Sequence, residues 1–85
     1  MELAHVVIRF SRHAKRRITL YRIQQIDIEN SIEKHMKSEK LIFGRHEFID
    51  EGLKEKYRLP VKIVIDIGKD LITVITAYPL KKGII

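Results

Sequence analysis

The stretch RLPVKIVIDIGKDLITVITAY, residues 58–78, holds two β-branched runs separated by the turn Gly68-Lys69-Asp70. Branched side chains suit the pleated surface of a sheet and the glycine permits a tight reversal, so the segment predicts an antiparallel hairpin. Leu71, Thr73, Ile75 and Ala77 share one face of its second strand, and Ile72, Val74, Thr76 and Tyr78 share the other. Both faces are largely apolar, which places this strand near the middle of a sheet with helices over one face. Pro60 has no amide proton to give a ladder, so it marks a strand start or an exposed edge.

The remaining segments are read around that hairpin. LAHVVIRF, residues 3–10, alternates as a strand, with Val6, Ile8 and Phe10 on one side and His5, Val7 and Arg9 on the other. Ser11 is a candidate N-cap for a helix from Arg12 to about Tyr21. On that helix Leu20, His13, Arg17, Tyr21, Ala14 and Ile18 form the arc expected to pack, and Arg12, Lys15, Arg16 and Thr19 form a solvated basic face. A second helix runs from residue 24 or 27 to 38, with Ile28, Ile32 and Met36 stacked on one stripe and Asp27 as a candidate cap. His35 lies beside the stripe and reads as an ordinary, partly buried histidine. Residues 40–49 read as a strand with Gly44 as a bulge or bend, followed by the loop GLKEK.

The predicted order is β-α-α-β-β-β over a single domain, residues 1–85. That is an α+β fold with two N-terminal helices packed on an antiparallel sheet. An 85-residue chain has one core and no room for a second.

Seventeen Lys and Arg against eleven Asp and Glu give a formal charge of +6. Excess positive charge speeds capture of polyanions, which ranks nucleic acid ahead of an anionic membrane surface as partner; the plainer role of such charge is solubility. The chain has no cysteine, which excludes disulfides and thiolate zinc sites. It has neither a secretory leader nor an apolar run near the roughly 20 residues of a membrane span, so the expectation is a cytoplasmic protein with no membrane partner.

No phosphate-binding glycine loop, metalloprotease helix, calcium loop or serine-hydrolase elbow occurs. Asp66 and Asp70 flank a turn and read as turn chemistry. Histidines 5, 13, 35 and 46 lack the i, i+3 or i, i+4 spacing of a helical metal site, so neither a metal nor another cofactor is expected. What remains are basic and hydroxyl residues on adjacent elements, the form taken by a metal-free ribonuclease. Such an enzyme removes a proton from the RNA 2′-hydroxyl, stabilises charge on the phosphorane and protonates the leaving 5′-oxygen. Histidine suits the proton transfers, and the arginine fork suits phosphate. The candidates are His13, Arg17, Arg45, His46, Arg58, Lys62, Thr76 and Tyr78, and spacing alone does not choose among them.

The order of elements resembles the RelE/ParE-like toxins of bacterial and archaeal toxin–antitoxin systems. HAKRRITLYRIQQIDIENSI resembles the opening of a related family of small domains, with the pattern His-Ala-x-x-Arg, a glycine-marked break and an acidic second helix. VKIVIDIGKDLITVITAYP resembles that family's closing hairpin, and its Thr-x-Tyr-Pro ending is also similar to ribonucleases of the barnase–RelE-like group. The likeness covers residues 11–79 and is carried by His13, Ala14 and Arg17 at one end and Thr76, Tyr78 and Pro79 at the other. Three positions depart from it: Arg22 stands where a helix-ending glycine is usual, Gln24 where a capping serine is usual, and Ile26 where an acidic residue is usual.

The resemblance implies a metal-independent RNA-cleaving toxin acting on single-stranded or ribosome-bound mRNA, neutralised by an acidic antitoxin, as a monomer or homodimer. It makes His13 an acid or base, Arg17 and Lys62 phosphate binders, and Thr76 and Tyr78 substrate contacts, with Arg45, His46 and Arg58 as further candidates for nucleic-acid binding. Two alternatives on the same fold are a non-catalytic nucleic-acid or partner-binding module and a ParE-like topoisomerase inhibitor.

Overall fold

The hairpin forms the centre of the sheet. In a computed structural model, which describes residues 7–38 and 42–81, Val61–Ile67 (β3) and Leu71–Pro79 (β4) pair antiparallel across the Gly68 turn. Pro60 is buried directly before β3, and its carbonyl accepts the Leu80 amide at 2.8 Å. Val7–Phe10 (β1) flanks β4, and Gly44–Asp50 (β2) flanks β3, giving the order β1-β4-β3-β2. β1 runs parallel to β4, so the sheet is mixed, where sequence reasoning expected an antiparallel one. The cause lies in connectivity: the two helices carry the chain across the sheet so that β2 runs in the direction of β1, and two antiparallel reversals, β2 to β3 and β3 to β4, then lay β4 beside β1 in that same direction.

Between β1 and β2 lie Arg12–Leu20 (α1) and Gln25–Ser38 (α2). A third helix, Lys54–Tyr57 (α3), follows a 3-10 turn over Glu51–Leu53 in the segment expected to be a plain loop. The protein is therefore a small α+β domain of order β-α-α-β-α-β-β. Residues 3–6 of the expected first strand, residues 40 and 41 of the expected second, and the tail from 82 onward lie outside the described residues.

Sidedness follows the alternation of each strand. Ile63, Ile65 and Ile67 of β3, Ile72, Val74 and Ala77 of β4, and Phe10 of β1 are buried with Ala14, Ile18, Ile23, Ile28 and Ile32 in one core. Leu20, expected in the packed arc of α1, is instead 71% exposed, because that helix buries only the narrow stripe through Ala14 and Ile18. Gly44 opens β2 with a positive φ of 111° and makes no bulge, since pairing from Gly44 to Asp50 is regular. The bulge is in β4: Thr76 pairs with Val64 and Val74 with Ile65, leaving Ile75 as the extra residue.

Asp27 does not cap α2. Its carboxylate accepts from the Tyr57 hydroxyl and pairs with the Lys56 ammonium at 2.9 Å, tying α3 to α2. The phenol first, and then Lys56, hold this carboxyl below the usual aspartate value, while burial and the same carboxylate push the Tyr57 phenol up.

The end of α1 explains how an arginine replaces the glycine expected there. The Ile23 amide donates to the Ile18 carbonyl at 2.8 Å and the Arg22 amide to Thr19 at 3.2 Å, with Ile18 and Ile23 both buried. This is the Schellman arrangement, whose residue after the cap is left-handed. Arg22 has φ 57°, a conformation that costs a non-glycine residue about 1–2 kcal/mol. Arg22→Gly is therefore expected to raise stability by about 0.5–1 kcal/mol, the unfolded-state entropy of glycine offsetting part of the relief. Urea denaturation checks this, and a lowered midpoint would show that the Arg22 side chain contributes more than its backbone costs.

Candidate functional site on the open face of the sheet

Ser11 decides where α1 lies. It accepts the Ala14 amide at 3.0 Å as N-cap, and its hydroxyl donates to the Ile75 carbonyl at 2.9 Å, in the bulge of β4. Its own amide donates to Val74 at 3.0 Å. The helix thus starts where β1 stops pairing and advances alongside the second half of β4. Six residues of helix rise about 9 Å, and three residues of strand span about 10 Å. Arg17 accordingly reaches Tyr78, its guanidinium carbon 5.3 Å from the ring centroid. By the same measure His13, one turn before Arg17 on the same stripe, is level with Thr76.

Thr76 and Tyr78 pair with Val64 and Lys62, residues on the sheet face away from the helical core. Lys62 contacts Glu47 at 3.0 Å. The Glu47 carboxylate first, and then the Tyr78 phenol beside it, raise the lysine pKa above its usual value. Glu47 itself pairs with Val64, and Ile49 pairs with Lys62. Two rows therefore cross the open face: Thr76, Val64 and Glu47 in one, and Arg17, Tyr78, Lys62 and Ile49 in the next.

This arrangement gathers Arg17, Lys62, Thr76 and Tyr78 of the eight sequence candidates on one surface. Arg17 is half-buried and held by cation–π contact, Lys62 and Tyr78 adjoin, and His13 is exposed on α1 one turn before Arg17. The Thr76 hydroxyl oxygen is buried without a hydrogen-bond partner among the described residues. Arg45 is on the same open face, opposite Asp66 and two residues along β2 from Glu47, about 7 Å away. The other two lie elsewhere. His46 is on the helical side, opposite Ile65, with Nε2 2.6 Å from the Ile42 carbonyl. Arg58 is exposed at the end of α3 with φ 68°.

Sequence reasoning missed Glu47. The alternation Arg45, Glu47, Ile49 already put it on one strand face, but only the register shows that this face meets Lys62.

A second polar cluster has structural partners instead. The buried Ser31 hydroxyl bonds the Asp50 carboxylate, whose other oxygen accepts the Gly52 amide at 2.8 Å, and His35 stacks on Phe48 with centroids 4.0 Å apart. Among the described residues no three His, Asp or Glu side chains are grouped as metal ligands. No helix among them is long and apolar enough to cross a membrane. Comparison of the chain with protein-family models, with curated proteins and with solved structures gave no match.

A buried hydroxyl without a partner forfeits about 1–3 kcal/mol of hydration. Thr76→Val keeps the branched shape that suits a strand and removes the oxygen. It is expected to raise stability by about 1 kcal/mol in urea denaturation; a loss of comparable size would mean that the hydroxyl is satisfied in solution.

Proposed function

We propose that the protein is a metal-independent endoribonuclease of the RelE/ParE-like toxin type, working on the open face of its sheet, with an acidic antitoxin as its natural inhibitor. The observation that carries this reading is the convergence of Arg17, Tyr78 and Lys62, three groups from three elements that together suit one phosphate. Arginine and lysine stabilise the charge that grows on the phosphorane oxygens, and the phenol donates a further hydrogen bond.

Cleavage needs a proton acceptor and a proton donor on opposite sides of that phosphate. Glu47 stands at one end of the first row, and His13, exposed on α1 one turn before Arg17, is the candidate donor from the other side. In the reaction the 2′-oxygen loses its proton to the Glu47 carboxylate and bonds to phosphorus. The bond from phosphorus to the 5′-oxygen breaks, and that oxygen takes a proton from His13, leaving a 2′,3′-cyclic phosphate and a 5′-hydroxyl. Lys62 exchanges part of its contact with Glu47 for phosphate, which frees the carboxylate as base. Single-stranded RNA, including mRNA presented by the ribosome, is the substrate class, because the shallow open face admits an unpaired strand.

One observation favours a non-catalytic binding module on the same surface. Glu47 already neutralises Lys62, and His13 makes no hydrogen bond with the described residues. The two readings part on turnover. With RNA in the presence of EDTA, the wild type is expected to cleave, and His13→Ala to lower the rate by about 10²–10⁴-fold, the usual contribution of a general acid. Arg17→Ala is expected to reduce it as well. Cleavage indifferent to His13→Ala, or no cleavage of free or ribosome-bound RNA, would sink the ribonuclease reading. Arrest of a topoisomerase without RNA cleavage would point to the ParE-like activity.

A further inference from the structure

Arg9 of β1 and Arg12, Lys15 and Arg16 of α1 are all exposed and lie away from the Arg17–Lys62 surface's central row. Arg9, Arg12 and Lys15 line a groove of about 630 Å³ along the outer edge of β1, which Gln25 closes at the far side. A second depression of about 480 Å³ shares Arg12 and Lys15 and continues along α1 past Arg16 to Thr19. No carboxylate lines either hollow, and no described residue forms an ion pair with any of the four cations.

The backbone adds donors to the same groove. Val7 and Ser11 donate their amides inward, to Asp70 just before β4 and to Val74 within it. In a parallel ladder the amides between them alternate, so those of Ile8 and Phe10 face outward along the groove. Cations on a helix are ordinarily a solvated face. Here they come from two elements and border two adjoining hollows, the larger of which also receives outward-facing backbone amides, which is the chemistry of a phosphate chain.

We propose that this groove, at the β1 edge of the open face and away from the cleaving residues, holds the backbone of single-stranded RNA as a positioning track without base readout. A concave channel suits a strand, whereas an anionic bilayer calls for a flat or convex contact. Binding at the groove stands on the charge and shape described above; its part in delivering RNA to the open face rests on the ribonuclease reading.

The test uses the full chain and a 2′-O-methyl RNA 12-mer of mixed sequence, which cannot be cleaved, with affinity measured across a salt series. Each phosphate contacted on a single strand contributes about 0.7 to the slope of log K against log salt. The triple variant Arg12→Gln, Lys15→Gln, Arg16→Gln is expected to bind more weakly at low salt, with a slope shallower by about 2. Replacing both arginines by lysine keeps the charge and is expected to leave the slope within about 0.5 of wild type, which separates lost charge from lost fold. An unchanged slope and affinity in the triple variant would overturn the proposal. So would RNA binding that is unaffected while binding to phosphatidylserine vesicles is lost.

Cleavage of an RNA trinucleotide, too short to span both surfaces, reports the open face by itself. In the triple variant it is expected to match the wild type, while the KM for a long RNA rises. If wild type cleaves neither substrate, the ribonuclease reading fails while the salt series still decides the groove.

Discussion

The hydroxyl of Ser11 is the joint on which the architecture turns. As acceptor it starts α1 by satisfying the Ala14 amide, and as donor it ties that start to the Ile75 carbonyl where β4 bulges. One side chain thereby ends β1, begins the helix and fixes its position beside the second half of β4. Without the bulge, the strand would offer its carbonyls in regular alternation. With it, the extra residue Ile75 presents an acceptor, and Thr76 and Tyr78 change sides relative to Ile72 and Val74.

That change of side has consequences for chemistry. Ile72 and Val74 lie in the core, whereas Thr76 and Tyr78 share the open face with Lys62 and Val64. The same bulge that docks α1 therefore delivers two polar residues to the surface that Arg17 reaches. The helix supplies Arg17, the hairpin supplies Tyr78 and Lys62, and the edge strand β2 supplies Glu47. A surface assembled from four segments on a small sheet is held where its strands pair and where Lys62 contacts Glu47.

Much of this was legible in the residues. The β-branched hairpin, its turn, the central place of β4 and the capping by Ser11 all follow from local pattern, because they rest on alternation and on one hydroxyl at a helix start. Three features were not. The parallel pairing of β1 depends on how the chain returns after two helices, which no local window contains. The helix over Lys54–Tyr57 is held by Asp27, a tertiary tie from another helix, and its four residues are too few to show a period. Thr76 and Val74 look like members of one alternating face, and only the bulge separates them. In the candidate surface, Arg17, Thr76, Tyr78 and Lys62 had been singled out by residue type, while Glu47 became visible through register alone. His46 looked equivalent to its neighbour Arg45, yet successive residues of a strand face opposite sides.

The central claim is that the open face, by way of Arg17, Lys62 and Tyr78, holds the RNA phosphate. An NMR titration of the isotope-labelled protein with a 2′-O-methyl RNA trinucleotide tests it most directly. Resonances of Glu47, Lys62, Val64, Thr76 and Tyr78 are expected to shift together with the ligand, and those of His46 and Ile65 on the helical side to stay in place. Shifts confined to other surfaces, or none at ligand concentrations that saturate a millimolar site, would contradict it.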